Sequence, residues 1–193
     1  MQLAFEAATH TYRLEGRPVP SVTQIIEEQL DDWSMVPPEV RANAMKRGQL
    51  VHEAVALLVR DDLDWASLDE SIEPFVAGAR NFLLDTGVVP LTSETAVANT
   101  LGYAGTPDLV AIWRDATGLF DFKSGSVPRS AGPQTAAYVA AYKSTHGVQI
   151  KKRYAVQLNP SLPRGYKVCA LTNPADWSVF LSAFNCWSFR HGR

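Results

Sequence analysis

The chain reads as an α/β protein whose mixed central sheet, a three-strand antiparallel meander plus further strands, is flanked by helices. Three observations lead there. Apolar residues recur with helical period over about 39–60 and 68–85, strand-like runs occupy about 92–99, 103–113 and 118–122, and a helix, two strands and a helix follow. Helices before and after a meander can cover both faces of one sheet, which gives a layered α/β architecture with mixed strand directions.

The opening stretch alternates through Tyr12 and Leu14, turns at Glu15-Gly16-Arg17-Pro18 and resumes at Val19, predicting a short hairpin or extended ribbon. Ser21 precedes Gln24 by three residues, a capping-box spacing that starts a helix over 22–30. After Pro37-Pro38, a long helix carries Ala44, Leu50, Val51, Ala54, Val55 and Leu58 on one face to about Arg60. The helix over 68–85 has Gly87 just past its end. Asp115-Ala-Thr-Gly118 is the expected turn between the last two meander strands. Residues 132–146 form an alanine- and tyrosine-rich helix, 151–158 and 166–171 two further strands, and Asn173 or Asp176 starts a final helix that turns Trp177, Phe180, Leu181, Phe184 and Trp187 toward the core.

A length of 193 residues with 46% hydrophobic content suits one domain, expected over 1–193, with an N-terminal hairpin and helical extension over about 1–90. No stretch approaches the ~18–20 apolar residues of a membrane span, and the start lacks the pattern of a secretory signal, so a cytoplasmic protein is expected. The two cysteines, Cys169 and Cys186, cannot assemble a cysteine-rich zinc site or a four-cysteine iron-sulfur cluster, and read as reduced thiols.

The net charge of -2 conceals a dipole. Residues 1–100 hold 7 basic and 16 acidic side chains, net -9, whereas residues 101–193 hold 11 and 4, net +7. Such asymmetry hints at a polyanionic partner. The acids of the basic half are Asp108, Asp115, Asp121 and Asp176, and a carboxylate in a basic field is suited to holding a cation. Arg129, Lys143, Lys151, Lys152, Arg153, Arg164 and Lys167 are candidates for sequence-independent contacts to backbone phosphates.

Gly105-Thr-Pro-Asp-Leu-Val110 and Asp121-Phe-Lys123 place two carboxylates and a lysine on what read as adjacent strands. Period-2 geometry puts Asp121 and Lys123 on one sheet face and Phe122 on the other. Asp-x-Lys alone is commonplace. Paired with Pro107-Asp108 in strands this apolar, where an unpaired charge is costly, it points to a built site. Hydrolysis of a phosphodiester needs an activated water and stabilisation of developing charge, which divalent cations held by carboxylates provide. Lys123 would stand beside the cation, where its ammonium can hold the water or the phosphate.

His52 follows Gly48 by four residues in the long helix, and a mid-helix glycine costs about 1 kcal/mol, so a close approach to the sheet is expected there. Gln134 and Tyr138 share one helix face and can hydrogen-bond Lys123 or a phosphate. Glu94, in the strand before the meander, could add a ligand or a water contact, although an edge-strand carboxylate is usually solvated.

Taken together, Gly48-x-x-x-His52, Pro107-Asp108, Asp121-x-Lys123 and Gln134-x-x-x-Tyr138 resemble, in order and spacing over about 45–145, the PD-(D/E)XK nuclease superfamily, specifically its RecB-like branch of Cas4-type and phage recombination exonucleases. Residues 12–23, Tyr-Arg-Leu-Glu-Gly-Arg-Pro-Val-Pro-Ser-Val-Thr, are similar to the start of phage and prophage members. The resemblance implies a restriction-endonuclease-like core, and Mg2+ or Mn2+ bound by His52, Asp108, Asp121 and the Phe122 carbonyl. It also implies that Asp108, Asp121 and Lys123 are catalytic and that Gln134 and Tyr138 line the site. The missing cysteines set the chain apart from cluster-bearing members, so no iron-sulfur cluster is expected. An imidazole ligand favours Mn2+ at least as much as Mg2+.

The resulting expectation is a metal-dependent DNA exonuclease in phage or prophage recombination or repair, in the cytoplasm of a bacterial or phage-infected cell. DNA is the expected partner, no membrane is involved, and the family leaves room for a single-strand annealing protein and a homo-oligomer. A structure-specific endonuclease on the same core and a non-catalytic DNA-binding protein are the alternatives. A small-molecule α/β enzyme is disfavoured by the lack of a Gly-rich phosphate loop.

Overall fold

The computed structural model describes residues 2–6 and 9–193. Strands β1 (Leu3–Glu6), β2 (Thr11–Leu14) and β3 (Arg17–Val19) form a small antiparallel sheet. Glu15 and Gly16, both at positive φ, make the tight turn between β2 and β3. Helix α1 (Val22–Gln29) starts where the capping box predicts, with Ser21 Oγ accepting the Gln24 N–H at 2.9 Å.

Helix α2 (Pro38–Val59) matches its predicted span, whereas α3 (Glu73–Thr86) begins later than position 68. Asp69 caps a local turn by accepting the Ser71 N–H at 2.8 Å, and Pro74 is tolerated only in the first helical turn, so the helix cannot start earlier. A 3₁₀ turn at Trp65–Ser67 fills the connection. Gly87, at φ 60, ends α3 as its position predicts.

The central sheet contains β4 (Val89–Ser93), β7 (Leu109–Trp113), β8 (Ala116–Lys123), β9 (Lys152–Leu158) and β10 (Tyr166–Ala170), in the order β10-β9-β8-β7-β4. The pair β8/β9 is parallel and the other three pairs are antiparallel. The meander is present but interrupted. The predicted strands 92–99 and 103–113 each split: Glu94 at φ 47 turns the chain out of the sheet in the first, and the second breaks at Thr106-Pro107-Asp108. A separate hairpin, β5 (Val97–Asn99) and β6 (Tyr103–Gly105), intervenes before β7 re-enters. The turn expected at 115–118 is instead a two-residue turn at Arg114 and Asp115, both at positive φ, with Trp113 pairing Ala116.

Helices α4 (Ala131–His146) and α5 (Asp176–Arg190) complete the layers. One sheet face, with Val110 and Leu119, packs with β5, β6, α1, α4 and α5, including Tyr103, Tyr142, Phe180 and Trp187. The other, with Leu109, Ala111, Phe120, Phe122, Val156 and Leu158, packs against Val51, Val55, Val76 and Phe82 of α2 and α3. Alternate strand residues thus feed two cores, which is why β8 is buried from Gly118 to Phe122. This is the mixed α/β sheet flanked by helices that the sequence predicts. Among the described residues no helix is long and apolar enough to cross a membrane.

Antiparallel pairing brings the C-terminal ends of β4 and β8 beside the N-terminal end of β7, with Ser93 opposite Leu109 and Leu109 opposite Phe120. Chemistry carried by residues just outside these pairs therefore meets at one end of the sheet.

Candidate functional site

Glu94 is one residue beyond β4, Asp108 one residue before β7, and Asp121 and Lys123 lie at the C-terminal end of β8. The Glu94 N–H donates to the Asp108 carbonyl at 3.2 Å, tying the first two together. His52 reaches the same point from α2, its Nδ1 being 3.1 Å from Asp108 Oδ1. From α4, Gln134 Oε1 accepts a hydrogen bond from Lys123 Nζ at 2.9 Å, and Gln134 Nε2 donates to Tyr138 Oη at 3.4 Å. All seven side chains line one cavity of about 250 Å³.

Asp108 is nearly buried and uses both oxygens, with Oδ2 accepting the Phe122 N–H at 2.6 Å. Burial alone would raise its pKa, but His52, Lys123 and the Phe122 N–H outweigh burial and hold it below the usual carboxylate value. Burial likewise opposes protonation of His52, yet Asp108 beside it prevails and lifts the imidazole to about 9. Glu94 is pushed up to about 8 by burial and then by the Asp108 charge. Its environment is therefore that of a partly enclosed acid, not of a solvated edge-strand carboxylate.

Asp121 is 2% exposed, and Lys123 Nζ stands 2.9 Å from its Oδ2. The Lys123 ammonium is the partner that Oδ2 has in its buried position. Burial and Asp108 raise the Asp121 pKa against the opposing pull of Lys123. Lys123 remains a cation, because Asp121 and Asp108 more than offset its desolvation.

One imidazole nitrogen and two carboxylate oxygens, from His52, Glu94 and Asp108, lie within 4.8 Å of one another and could hold a metal ion. This N/O donor set suits Mn2+ and, less well, Mg2+. Asp121, in the same cavity and paired through Oδ2 with Lys123, could add a further carboxylate contact to a cation. The carbonyl of Phe122 projects to the same side of β8 as its N–H, hence toward Asp108, because each strand residue presents both groups to one neighbour.

Gly48 makes no close approach of the expected kind: a Cβ there would meet only Ser124 Oγ, at 3.9 Å. Gly105 does, since a Cβ there would fall 2.6 Å from Tyr138 Cε1. The signal was visible in the sequence as Gly next to Thr106-Pro107-Asp108, but its partner was not.

The phosphate-contact candidates divide. Arg153 is committed to structure, donating to the Gly132 carbonyl at 2.7 Å and to Asp176 at 2.9 Å, so its guanidinium is not a free DNA contact. Arg164 is held bidentately by Asp85. Lys143 and Lys151 border another cavity, of about 720 Å³, that shares no lining residue with the site. Arg129, Lys152 and Lys167 are exposed. The N-terminal segment supplies lining that sequence reasoning missed: His10, Tyr12, Ser21 and Thr23 also face the site cavity. Tyr12 Oη lies 2.7 Å from Thr106 Oγ1, and Thr23 Oγ1 lies 3.3 Å from Tyr138 Oη.

No family model matches the chain, and no curated protein matches it. Among solved structures it is similar to an alkaline exonuclease from Laribacter hongkongensis, over 88% of this chain and 86% of that one, at 12% identity and a TM-score of 0.45. Likeness at that level carries no residue roles across, and the site rests on its own geometry.

Proposed function

We propose that the protein is a divalent-metal-dependent deoxyribonuclease, an exonuclease that resects DNA ends in phage or prophage recombination or repair. The observation that carries the reading is the meeting of His52, Glu94, Asp108, Asp121, Lys123 and Gln134 in one cavity. A cation bound there would supply Lewis acidity toward a phosphoryl oxygen and lower the pKa of water. His52, Glu94 and Asp108 would hold it, with Asp121 and the Phe122 carbonyl alongside. Lys123, kept charged by Asp121 and aimed by Gln134, would place its ammonium where charge develops on the phosphate. Tyr138, kept un-ionised by burial, serves as a hydrogen-bonding wall of the cavity.

The test is digestion of end-labelled linear DNA beside a covalently closed circle, with Mn2+, Mg2+ or EDTA, for wild type and Lys123→Ala. Metal-dependent loss of the linear DNA alone, absent in the variant, is the expected result. Cutting of the circle would replace the exonuclease with a structure-specific endonuclease. No cleavage with either metal would leave a DNA-binding protein. The cytoplasm of a bacterial or phage-infected cell, a single-strand annealing companion and a homo-oligomer belong to the same proposal.

A further inference from the structure

Helix α4 lines two cavities with different residues. Gln134 and Tyr138 face the site, whereas Ala136, Val139, Ala140 and Lys143 line the cavity of about 720 Å³. With about 3.6 residues per turn, the two sets lie on opposite sides of the helix. The volume is in the ordinary range of small-ligand sites. Among the described residues no Asp or Glu lines this cavity, whereas Lys143, Lys151 and Arg153 do. Arg153 is neutralised by Asp176, 2.9 Å away. Lys143 and Lys151 are exposed, and among the described residues neither ammonium has an acceptor or an ion-pair partner. Neutral donors are spare as well. Asn99 is 6% exposed, and its Oδ1 accepts the Leu101 N–H at 2.9 Å, which turns its NH2 toward Ser144. Ser144 Oγ accepts one of those N–H groups at 3.2 Å, so the second N–H and the Ser144 hydroxyl hydrogen remain to serve a ligand. Half-buried Trp177 stacks on Phe180 and adds an aromatic ring to the wall.

We propose that this cavity binds a free nucleoside phosphate, with its phosphate between Lys143 and Lys151 and its base against Trp177. Two unpaired ammonium groups with no carboxylate among the lining residues select an anion, and lysine takes phosphate as a point charge. The apolar side chains of α4 and the Trp177 ring accept a flat heterocycle, which inorganic phosphate lacks. Asn99 and Ser144 supply the few convergent polar groups that orient a ligand in such a site. The cavity shares no lining residue with the metal-binding cluster, so its occupant is not the nucleotide being cleaved, and the site stands whether or not the protein cuts DNA.

The test measures binding of dAMP by isothermal titration calorimetry in EDTA, so that no divalent cation holds a phosphate in the catalytic cavity. Adenosine, inorganic phosphate and a single-stranded oligodeoxyadenylate are titrated beside it. Wild type should bind dAMP about tenfold or more tightly than adenosine or phosphate. Lys143→Gln/Lys151→Gln, at exposed positions that hold no structural contact, should weaken dAMP about tenfold or more and leave adenosine unchanged. Trp177→Leu should weaken dAMP and adenosine together by about fivefold or more and leave phosphate unchanged. Circular dichroism confirms folding, and the lysine pair decides by itself if the Trp177 variant does not fold. Lys123→Ala should bind dAMP as wild type does. No binding of dAMP by wild type, or equal affinity in the lysine variant, overturns the inference. So does loss of binding in Lys123→Ala, which would put the nucleotide in the catalytic cavity, or phosphate bound as tightly as dAMP, which would leave an anion site only. A strand that needs the two lysines while dAMP does not bind would make them DNA contacts and overturn it too.

Discussion

His52 Nδ1 and Asp108 Oδ1 stand 3.1 Å apart, and their mutual attraction holds a proton on the imidazole up to about pH 9. A cation can use that nitrogen only after the proton leaves. Glu94, neutral up to about pH 8, must also ionise to serve as a ligand. Binding of Mn2+ near neutral pH should therefore release protons, which calorimetry in two buffers of different ionisation enthalpy would count. The same groups govern the metal-free fold. Protonated His52 contributes stability fully present below 6.5 and lost as pH rises through about 9. Glu94 works in the same direction, because the unfolded carboxyl ionises above 4.5 while the folded one resists until about 8. With EDTA the Tm should fall from pH 6 to pH 8.5, and the increment from Mn2+ should grow over the same range. A Mn2+ increment independent of pH would remove His52 and Glu94 from the ligand set.

Glu94→Gln separates a ligand from a bystander. It removes a carboxyl that burial disfavours when charged, so the metal-free protein should become more stable above pH 7. Mn2+ affinity should drop by roughly 10–100-fold if Glu94 holds the cation. Unchanged affinity would leave Asp108, His52 and Asp121 as the whole carboxylate and imidazole set.

Lys123→Ala, Asp108→Ala and Asp121→Ala are each expected to abolish cleavage. Gln134→Ala removes the acceptor that aims Lys123 but leaves its Asp121 partner, so a loss of about 10–100-fold with little change in Tm is expected. Lys123→Arg should not rescue, since a planar fork cannot replace a compact ammonium between Asp121 and Gln134. Full activity of Asp108→Ala or Asp121→Ala in the same assay would displace the site.

The two glycines near the site should respond in opposite senses. Gly105→Ala drives a methyl against the Tyr138 ring, and overpacking of that kind costs about 1–3 kcal/mol. Gly48→Ala brings a methyl only into ordinary contact with Ser124 Oγ and should raise helix stability by about 1 kcal/mol. Denaturant titration reads both. If the Gly48 variant is more stable but cleaves more slowly, the glycine keeps room for substrate; if it cleaves normally, it has no such role.

Arg153→Ala should act on stability and not on DNA affinity. It leaves the Asp176 carboxylate, 8% exposed, without its partner, and breaking a buried pair costs about 3–5 kcal/mol. Lys152→Ala, at an exposed position, should leave Tm unchanged; if it contacts DNA, the salt dependence of binding should weaken. A folded Arg153 variant with normal Tm and weak DNA binding would restore Arg153 as a phosphate contact.

Local patterns in the chain determined much of this protein: the α1 cap at Ser21, the span of α2, the Gly87 stop and the opposite facing of Phe122 and Asp121 are all consequences of period, capping and backbone geometry that act within a few residues. The spacing of Asp108, Asp121, Lys123, Gln134 and Tyr138 was legible for the same reason, since one short hairpin and one helical turn bring them together. What only the tertiary structure decided depends on contacts between distant segments. Glu94 joins the cluster because its left-handed backbone ends β4 beside Asp108, a relationship set by strand pairing across the β5–β6 hairpin. Arg153 turned from a DNA-contact candidate into a structural cation because Asp176, at the start of α5, lies against it. The nucleotide-sized cavity beside α4 brings Asn99 of β5 together with Trp177 of α5, and no periodicity along the chain encodes a meeting of surfaces that far apart in sequence.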